Sequence, residues 1–419
     1  MIPVEEALER ILSTVHVLEP EVKPILDCVG QVLAVDVAAA FDIPPHDNSA
    51  MDGFAVLAGD TLTASIKDPF YLDVIGEVAA GYTSSLRLTR GKAIRIMTGA
   101  PLPTGTDAVV QFENTDETDR KRDKKPLDKI GIVEPATRGL NVRLRGEDIK
   151  AGQMVLKKGT VLYPADIGVL ASLGQAQATV IRRPVVSVLS TGNELCSAGQ
   201  PLGAGQIYDS NTYTIAANIT MCGGIARIIG IGRDTLSSLQ DKINHGLDAD
   251  MLITSGGVSK GDYDVVKDVL AKMGTVSFWT VRMKPGKPIA FGTLKAPGGR
   301  EIPHLGLPGN PVSSMTTFER FARPAILKML GKAAFARPTV LAAIDQDIAN
   351  DDGRRVYARV RVSKTAGGWQ ASLTGPQGSG ILTSMSYANG LAIVPEDCPL
   401  ASAGNKLTVQ LLDNAEGII

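Results

Sequence analysis

A chain of 419 residues exceeds what one hydrophobic core usually supports, so about three domains are expected. Hydrophobic residues make up 44% and charged residues 21%, the balance of an ordinary globular protein, and a formal net charge of -1 excludes an overall pull toward nucleic acid or an acidic membrane. The dispersed cysteines Cys28, Cys196, Cys222 and Cys398 form no CxxC pair, which argues against a zinc site or disulfide framework and suits a reducing cytosol.

The opening MIPVEEALERIL is acidic and amphipathic and lacks the basic start and apolar core of a signal peptide. No apolar run reaches membrane-spanning length, so we expect a cytoplasmic protein with no membrane or nucleic-acid partner. Val4, Ala7, Leu8, Ile11, Leu12 and Val15 share one face of a helix predicted over 4–18. From 27 to 180 the chain reads as short strands broken by Gly and Pro, such as DVIGEVAAG, KAIRIMTGA, DAVVQFEN and QMVLKKGTVL, with no strong helical period from 52 to 160. The charged run RKRDKKPLDK at 120–129 holds no aromatic for base stacking and reads as a solvated hairpin loop.

Between 183 and 331 apolar strands (VVSVLS, ARIIGIG, DMLITS) alternate with helical stretches (TYTIAANITMCG, TLSSLQDKINHGL, YDVVKDVLAKM), the pattern of an open, doubly wound parallel α/β sheet. A long helix, VSSMTTFERFARPAILKML, closes it after Pro-Gly-Asn-Pro, and residues 332–419 return to the texture of a small β-barrel. The expected fold is multidomain α/β plus β. An N-terminal helix over 1–19 packs on the α/β domain, and a linker domain is built from 20–40 and 150–182. A β-rich domain spans 41–149, the α/β domain 183–331 and the C-terminal barrel 332–419.

Three constellations carry chemistry. TSGGVSKGDYD places Ser255, Gly256, Gly257 and Ser259 between a buried strand and a helix, where open α/β sheets bind ligands and backbone N–H groups can face an anion. A plain strand-to-helix turn is the alternative. VRMKPGKPIAFG presents Lys284 and Lys287 from one Pro-Gly turn, a pair that repels unless an anion sits between them, the alternative being a solvated basic turn. Among the carboxylates Asp52, Asp148, Glu194, Asp234, Asp262 and Asp264, the last four follow predicted sheet strands and should gather at one edge, as Mg²⁺ sites beside phosphates require. Singly, each acid is a cap or turn former. The chain has no GxxxxGK[ST], and GIGRDT lacks the third glycine of a dinucleotide fingerprint.

PPHDNSAMDGFAV, RIMTGAPLPTGTDAVV, LNVRLRGEDIKAG, STGNEL, GQIYDSN, TSGGVSKGDYD, KPGKPIAFG and LPGNPVSS, in this order, resemble the molybdopterin molybdenumtransferase family, which includes the E domain of gephyrin. The resemblance spans nearly the whole chain, while the stretch 115–128 matches no element of it. It implies an α/β domain like that of molybdopterin adenylyltransferase and an elongated homodimer with the active site at the subunit interface. The implied reaction hydrolyses adenylylated molybdopterin in the presence of molybdate, releasing AMP and the molybdenum cofactor. By motif, Asp52, Thr98, Asp148, Glu194, Asp234, Asp264, Lys284 and Lys287 are the expected catalytic set. Ser255, Gly256, Gly257, Ser259, Asn310, Arg143, Arg359 and Ser379 are expected to contact the bound groups, with Arg359 and Ser379 matching the family's oxyanion-contacting positions. Glu194, Asp234 and Asp264 would hold Mg²⁺.

That set fits the chemistry, because a tetrahedral dianion needs paired cations and neutral donors, and a phosphoanhydride needs its charge neutralised. The adenylyltransferase of the same pathway is a candidate partner. Other readings are adenylyl transfer itself, a tungsten-inserting relative, and a non-catalytic gephyrin-like scaffold; the intact acids and lysines argue against the scaffold.

Overall fold

The computed structural model describes residues 1–258 and 265–413. The chain divides into two compact units. One comprises Met1–Ala34, Gly159–Tyr163 and everything described from Gln177 onward; the other comprises Val35–Lys158 and Pro164–Ala176.

The second unit is built on a five-stranded sheet in the order Ala108–Gln111, Gly53–Val56, Lys92–Ile96, Phe70–Val78, Lys129–Ile132. Strand alternation sends Phe54, Val56, Ala108 and Val110 to one apolar cluster and Ala55, Ile94, Ile96 and Val109 to another, so both faces are covered. The run at 120–129, expected to be a solvated hairpin loop, opens instead with the last three residues of the α-helix Glu117–Arg122 and is a loop only from Asp123 to Asp128. Its local charges explain the difference: Arg120 pairs with Asp116 at 2.8 Å and Lys121 with Glu117 at 2.6 Å, both one turn apart, while Arg95 reaches the buried Glu117 at 3.0 Å. The segments read as a linker divide between the units. Pro20–Pro24 pairs with Gln177–Ile181 in the first, and Val37–Ala38 with Met154–Leu156 in the second.

In the first unit the helix Val4–Thr14 buries Val4, Ala7 and Ile11 against a cluster that includes Ile219, Phe318 and Phe321. It ends four residues short of the predicted length, where Thr14, Val15 and Val17 stiffen the backbone toward extended geometry. The central sheet has the order Ile225–Gly232, Val185–Thr191, Met251–Ser255, Glu301–Leu307, Pro288–Lys295, Gly274–Thr280. Its first four strands are parallel, and apolar clusters cover both faces, with Val188 and Ile253 on one side and Leu189 and Leu252 on the other. The last two pairings are antiparallel, unlike the all-parallel expectation, because Pro288–Lys295 runs against both of its neighbours. The connections there are too short for a crossover helix, so only hairpin-like returns can be made.

The closing helix is interrupted. Pro311–Thr317 and Arg323–Met329 flank a π-turn at Phe318–Ala322, just before Pro324, which lacks the N–H an unbroken α-helix would use. The C-terminal region forms a closed five-stranded barrel, Arg355–Thr365, Gly368–Leu373, Thr339–Ile344, Lys406–Leu411 and Gly390–Val394, with the last strand pairing back to the first. Among the described residues, no helix is long and apolar enough to cross a membrane.

Candidate functional site

The four parallel strands of the first unit end at one edge. Asp234 follows Ile225–Gly232, Glu194 follows Val185–Thr191, the Ser255–Gly257 turn closes Met251–Ser255, and Pro308–Asn310 follow Glu301–Leu307. Because Pro288–Lys295 runs antiparallel, its start rather than its end meets this edge, which brings the preceding KPGK turn alongside. Together they line a cleft of about 850 Å³ with Lys284, Lys287, Asn310 and Ser379. Neighbouring strands lie about 4.8 Å apart, so Asp234 and the KPGK turn, four strands along the sheet, stand roughly 19 Å apart. The cleft therefore has a carboxylate end, a cation end and two tight backbone turns between them.

At the carboxylate end, Arg233 fixes the loop by donating to the carbonyls of Gly192, Asn193 and Leu195 at 3.2, 3.0 and 2.9 Å. Asn193 and Asp234 exchange hydrogen bonds: the Asn193 N–H donates to the Asp234 carboxylate, and the Asp234 N–H to the Asn193 side chain. The Glu194 carboxylate folds under Gly192, where a Cβ would come within 2.4 Å of it. In the middle, Gly256 has φ +95°, and a Cβ there would meet the Thr191 carbonyl at 2.7 Å. Asn211 ties the two turns together, its amide donating to Ser255 Oγ at 2.8 Å and to the Gly309 carbonyl at 2.7 Å.

At the cation end, Gly286 has φ +101° and packs against Thr317, so the turn takes a shape that only glycine adopts without strain. Lys287 is exposed and Lys284 half-buried. Met283–Lys284 pairs with the start of Arg355–Thr365, tying the turn to the barrel. The barrel also contributes the loop that carries Gln377, Gly378 and Ser379. Arg359 does not line the cleft. It is 1% exposed and donates to Ser384 Oγ and to the carbonyls of Pro376 and Gly378, bracing that loop from beneath. Burial pushes its guanidinium pKa down to about 10, still protonated at neutral pH.

Asp52, Thr98, Arg143 and Asp148 belong to the other unit. The strand Asn48–Ser49 pairs with Val142–Arg143, and Ser49 exchanges backbone bonds with Gly99 and Ala100. This brings Thr98 to Asp52, whose carboxylate accepts the Thr98 N–H at 2.7 Å. That N–H, then the Thr98 hydroxyl, hold Asp52 below the usual carboxylate range. Asp148 is exposed and anchored through its backbone N–H to the Ile43 carbonyl.

Family models match the chain in three stretches: the MoeA N-terminal region (domain I and II) at 2–174, a "Probable molybdopterin binding domain" at 187–328, and the MoeA C-terminal region (domain IV) at 342–412. A protein of Mycobacterium tuberculosis named molybdopterin molybdenumtransferase 2 is 37% identical over 97% of this chain and 98% of its own length. The chain belongs to the molybdopterin molybdenumtransferase family. The Haemophilus influenzae molybdopterin molybdenumtransferase is 33% identical, covering 100% of both chains. The crystal structure of the molybdopterin biosynthesis MoeA protein from Pyrococcus horikoshii superposes with a TM-score of 0.80 at 33% identity, covering 98% of this chain and 99% of that one.

For this molybdopterin molybdenumtransferase family member, the cleft gathers nine of the expected residues: Glu194, Asp234, Ser255, Gly256, Gly257, Lys284, Lys287, Asn310 and Ser379. Ser259, Asp262 and Asp264 lie outside the described residues. No group of three or more metal-binding side chains occurs among the described residues. Mg²⁺ needs only one or two carboxylates beside phosphate oxygens, and two carboxylates, Glu194 and Asp234, line the cleft. Sequence reasoning did not single out Asn211, Tyr208, Arg354 or Gln377, which also line the cleft. Asn211 and Tyr208 stand inside the GQIYDSN motif, where an amide directly before a predicted helix was the available signal. Gln377 stands two residues before the expected Ser379, while Arg354 carried no signal, because strand pairing is what brings it here.

Proposed function

We propose that the chain inserts molybdate into adenylylated molybdopterin, releasing AMP and the molybdenum cofactor. One observation carries this reading: a single cleft joins a carboxylate end to a two-lysine turn across paired backbone turns, in a member of the molybdopterin molybdenumtransferase family. Lys284 and Lys287 receive the oxyanion, with the Ser379 hydroxyl as a neutral donor. The Ser255–Gly257 turn cradles phosphate oxygens. Glu194 and Asp234, with Asp264, would hold Mg²⁺, which when bound neutralises phosphate charge as the phosphoanhydride opens to water. Arg359 acts through the loop it braces.

Asp52 and Asp148 position substrate or move protons, and Thr98 keeps Asp52 in its charged, accepting form. The proposal includes a homodimer, with Asp52, Thr98, Arg143 and Asp148 as the β-rich domain's contribution to the assembled site. It also includes a cytoplasmic setting and delivery of the substrate by the adenylyltransferase that makes it.

The test incubates pure protein with adenylylated molybdopterin and either molybdate or tungstate, following AMP release and metal content. Oxyanion-dependent AMP release with matching metal uptake is expected. ATP consumption with molybdopterin alone would instead assign adenylyl transfer.

A further inference from the structure

The KPGK turn is not the only charged element at its end of the cleft. Pairing of Met283–Lys284 with the start of Arg355–Thr365 brings the preceding Asp352–Arg354 turn up beside Lys284. Arg354 lines the cleft, and its guanidinium donates to the Met283 carbonyl at 3.3 Å. The same guanidinium pairs with Asp352 Oδ2, and Lys284 Nζ stands 3.9 Å from that oxygen. One carboxylate oxygen thus serves two cations of different chain segments.

We propose that Arg354 is a third cation of the oxyanion site and that Asp352 is its built-in counter-ion, displaced when a dianion binds. This rests on the KPGK turn being the oxyanion site. Lys284, Lys287 and Arg354 carry three positive charges, and Asp352 offsets one, leaving the two that a tetrahedral dianion matches. A dianion outbids the single carboxylate charge for the same donors. A monoanion such as chloride has no such advantage and meets the carboxylate's repulsion, so Asp352 selects for doubly charged ligands. Arg354 also offers a planar fork for two oxygens of one ligand, which a lysine cannot.

A solvated surface ion pair is the plainer account, and such pairs contribute little. Against it, the Arg354 side chain is only 19% exposed and is fixed to the carbonyl of the residue preceding Lys284. Its side chain first, then nearby Lys284, hold Asp352 below the usual carboxylate range despite some burial, so the counter-ion is charged at neutral pH.

The experiment is calorimetric titration of sodium molybdate into the intact protein, with and without chloride, for wild type, Arg354→Gln, Arg354→Lys, Asp352→Asn and Lys287→Gln. Thermal melts check folding. Arg354→Gln should raise Kd about tenfold or more, with Arg354→Lys recovering part of it. Asp352→Asn should lower Kd by roughly threefold or more and make chloride a stronger competitor, an effect a structural role would not produce. Wild-type binding by both Asp352→Asn and Arg354→Gln, with Lys287→Gln weakened, would leave the lysine site standing and overturn this proposal. Unchanged binding by Lys287→Gln would remove the oxyanion site itself and both ideas with it.

Discussion

At the scale of single residues, the site separates groups that set affinity from groups that set chemistry. Lys287 is exposed and its charge makes no ion pair or hydrogen bond among the described residues, so Lys287→Gln should melt like the wild type. It should raise the molybdate concentration for half-maximal insertion by about tenfold, the loss expected for a charge-assisted hydrogen bond; a molybdate titration at saturating adenylylated substrate checks this. Asp52→Asn keeps shape and removes charge, and purified variant should fold while losing metal insertion, read as metal content per chain. Asp52 is held low by Thr98, so its charge persists above the ordinary carboxylate value of about 3.9 and is lost only as pH falls through the lower folded value. The Asn211 clamp and the Arg359 brace were not legible in the sequence as such. Asn211 sits in a readable motif, but its two acceptors lie 44 and 98 residues away, and only sheet order brings them together. The motif marks Arg359 as an oxyanion-contacting position but is silent on its burial and on the Ser384 hydroxyl and loop carbonyls that accept from it.

At the scale of elements, two predictions address how turns and junctions are held. Gly286→Ala would place a Cβ 2.5 Å from Thr317 Oγ1 at φ +101°, whereas Gly298 has a similar φ of +82° with nothing within 4 Å. Backbone strain alone costs on the order of 1 kcal/mol. Overpacking should add another 1–3 kcal/mol or so at 286 only. Urea unfolding should rank Gly286→Ala below Gly298→Ala, with weakened molybdate use in the former alone. At the sheet's other side, Arg182 grips Asp250 through two 2.6 Å bonds, and the Val185 N–H adds a third at 2.8 Å. Burial alone would raise the Asp250 pKa, but these bonds outweigh it and leave the value depressed. The stabilisation is therefore present above about pH 3.9 and lost as pH falls through the folded value. Asp250→Ala removes these bonds and leaves Arg182 to Glu19, 2.6 Å away, so it should cost roughly 1–3 kcal/mol at pH 7 and less in acid, measured by urea titration. Hydrophobic period located the parallel strands and their helices because both faces of that sheet are covered. It could not show that Pro288–Lys295 runs against its two neighbours, since an apolar run reads the same in either direction.

At the scale of the whole molecule, a homodimer is the assembly to test. Sedimentation should give twice the chain mass, held on dilution to assay concentration, and a fully active monomer would remove the dimer from the reading. The order of β-rich, α/β and barrel regions was legible because composition and period change along the chain. The division into two compact units was not, because each is assembled from separated segments. That discontinuity has a consequence for biosynthesis. The Lys328 ammonium caps the first helix at the Leu12 carbonyl, 316 residues away, and Phe321 covers the same helix's apolar face. At ribosomal rates of about 5–20 residues per second, the first helix waits roughly 15 to 60 s for the surface that buries it. During that interval Val4, Ala7 and Ile11 lack the part of their apolar cover that Phe318, Phe321 and Ala325 supply.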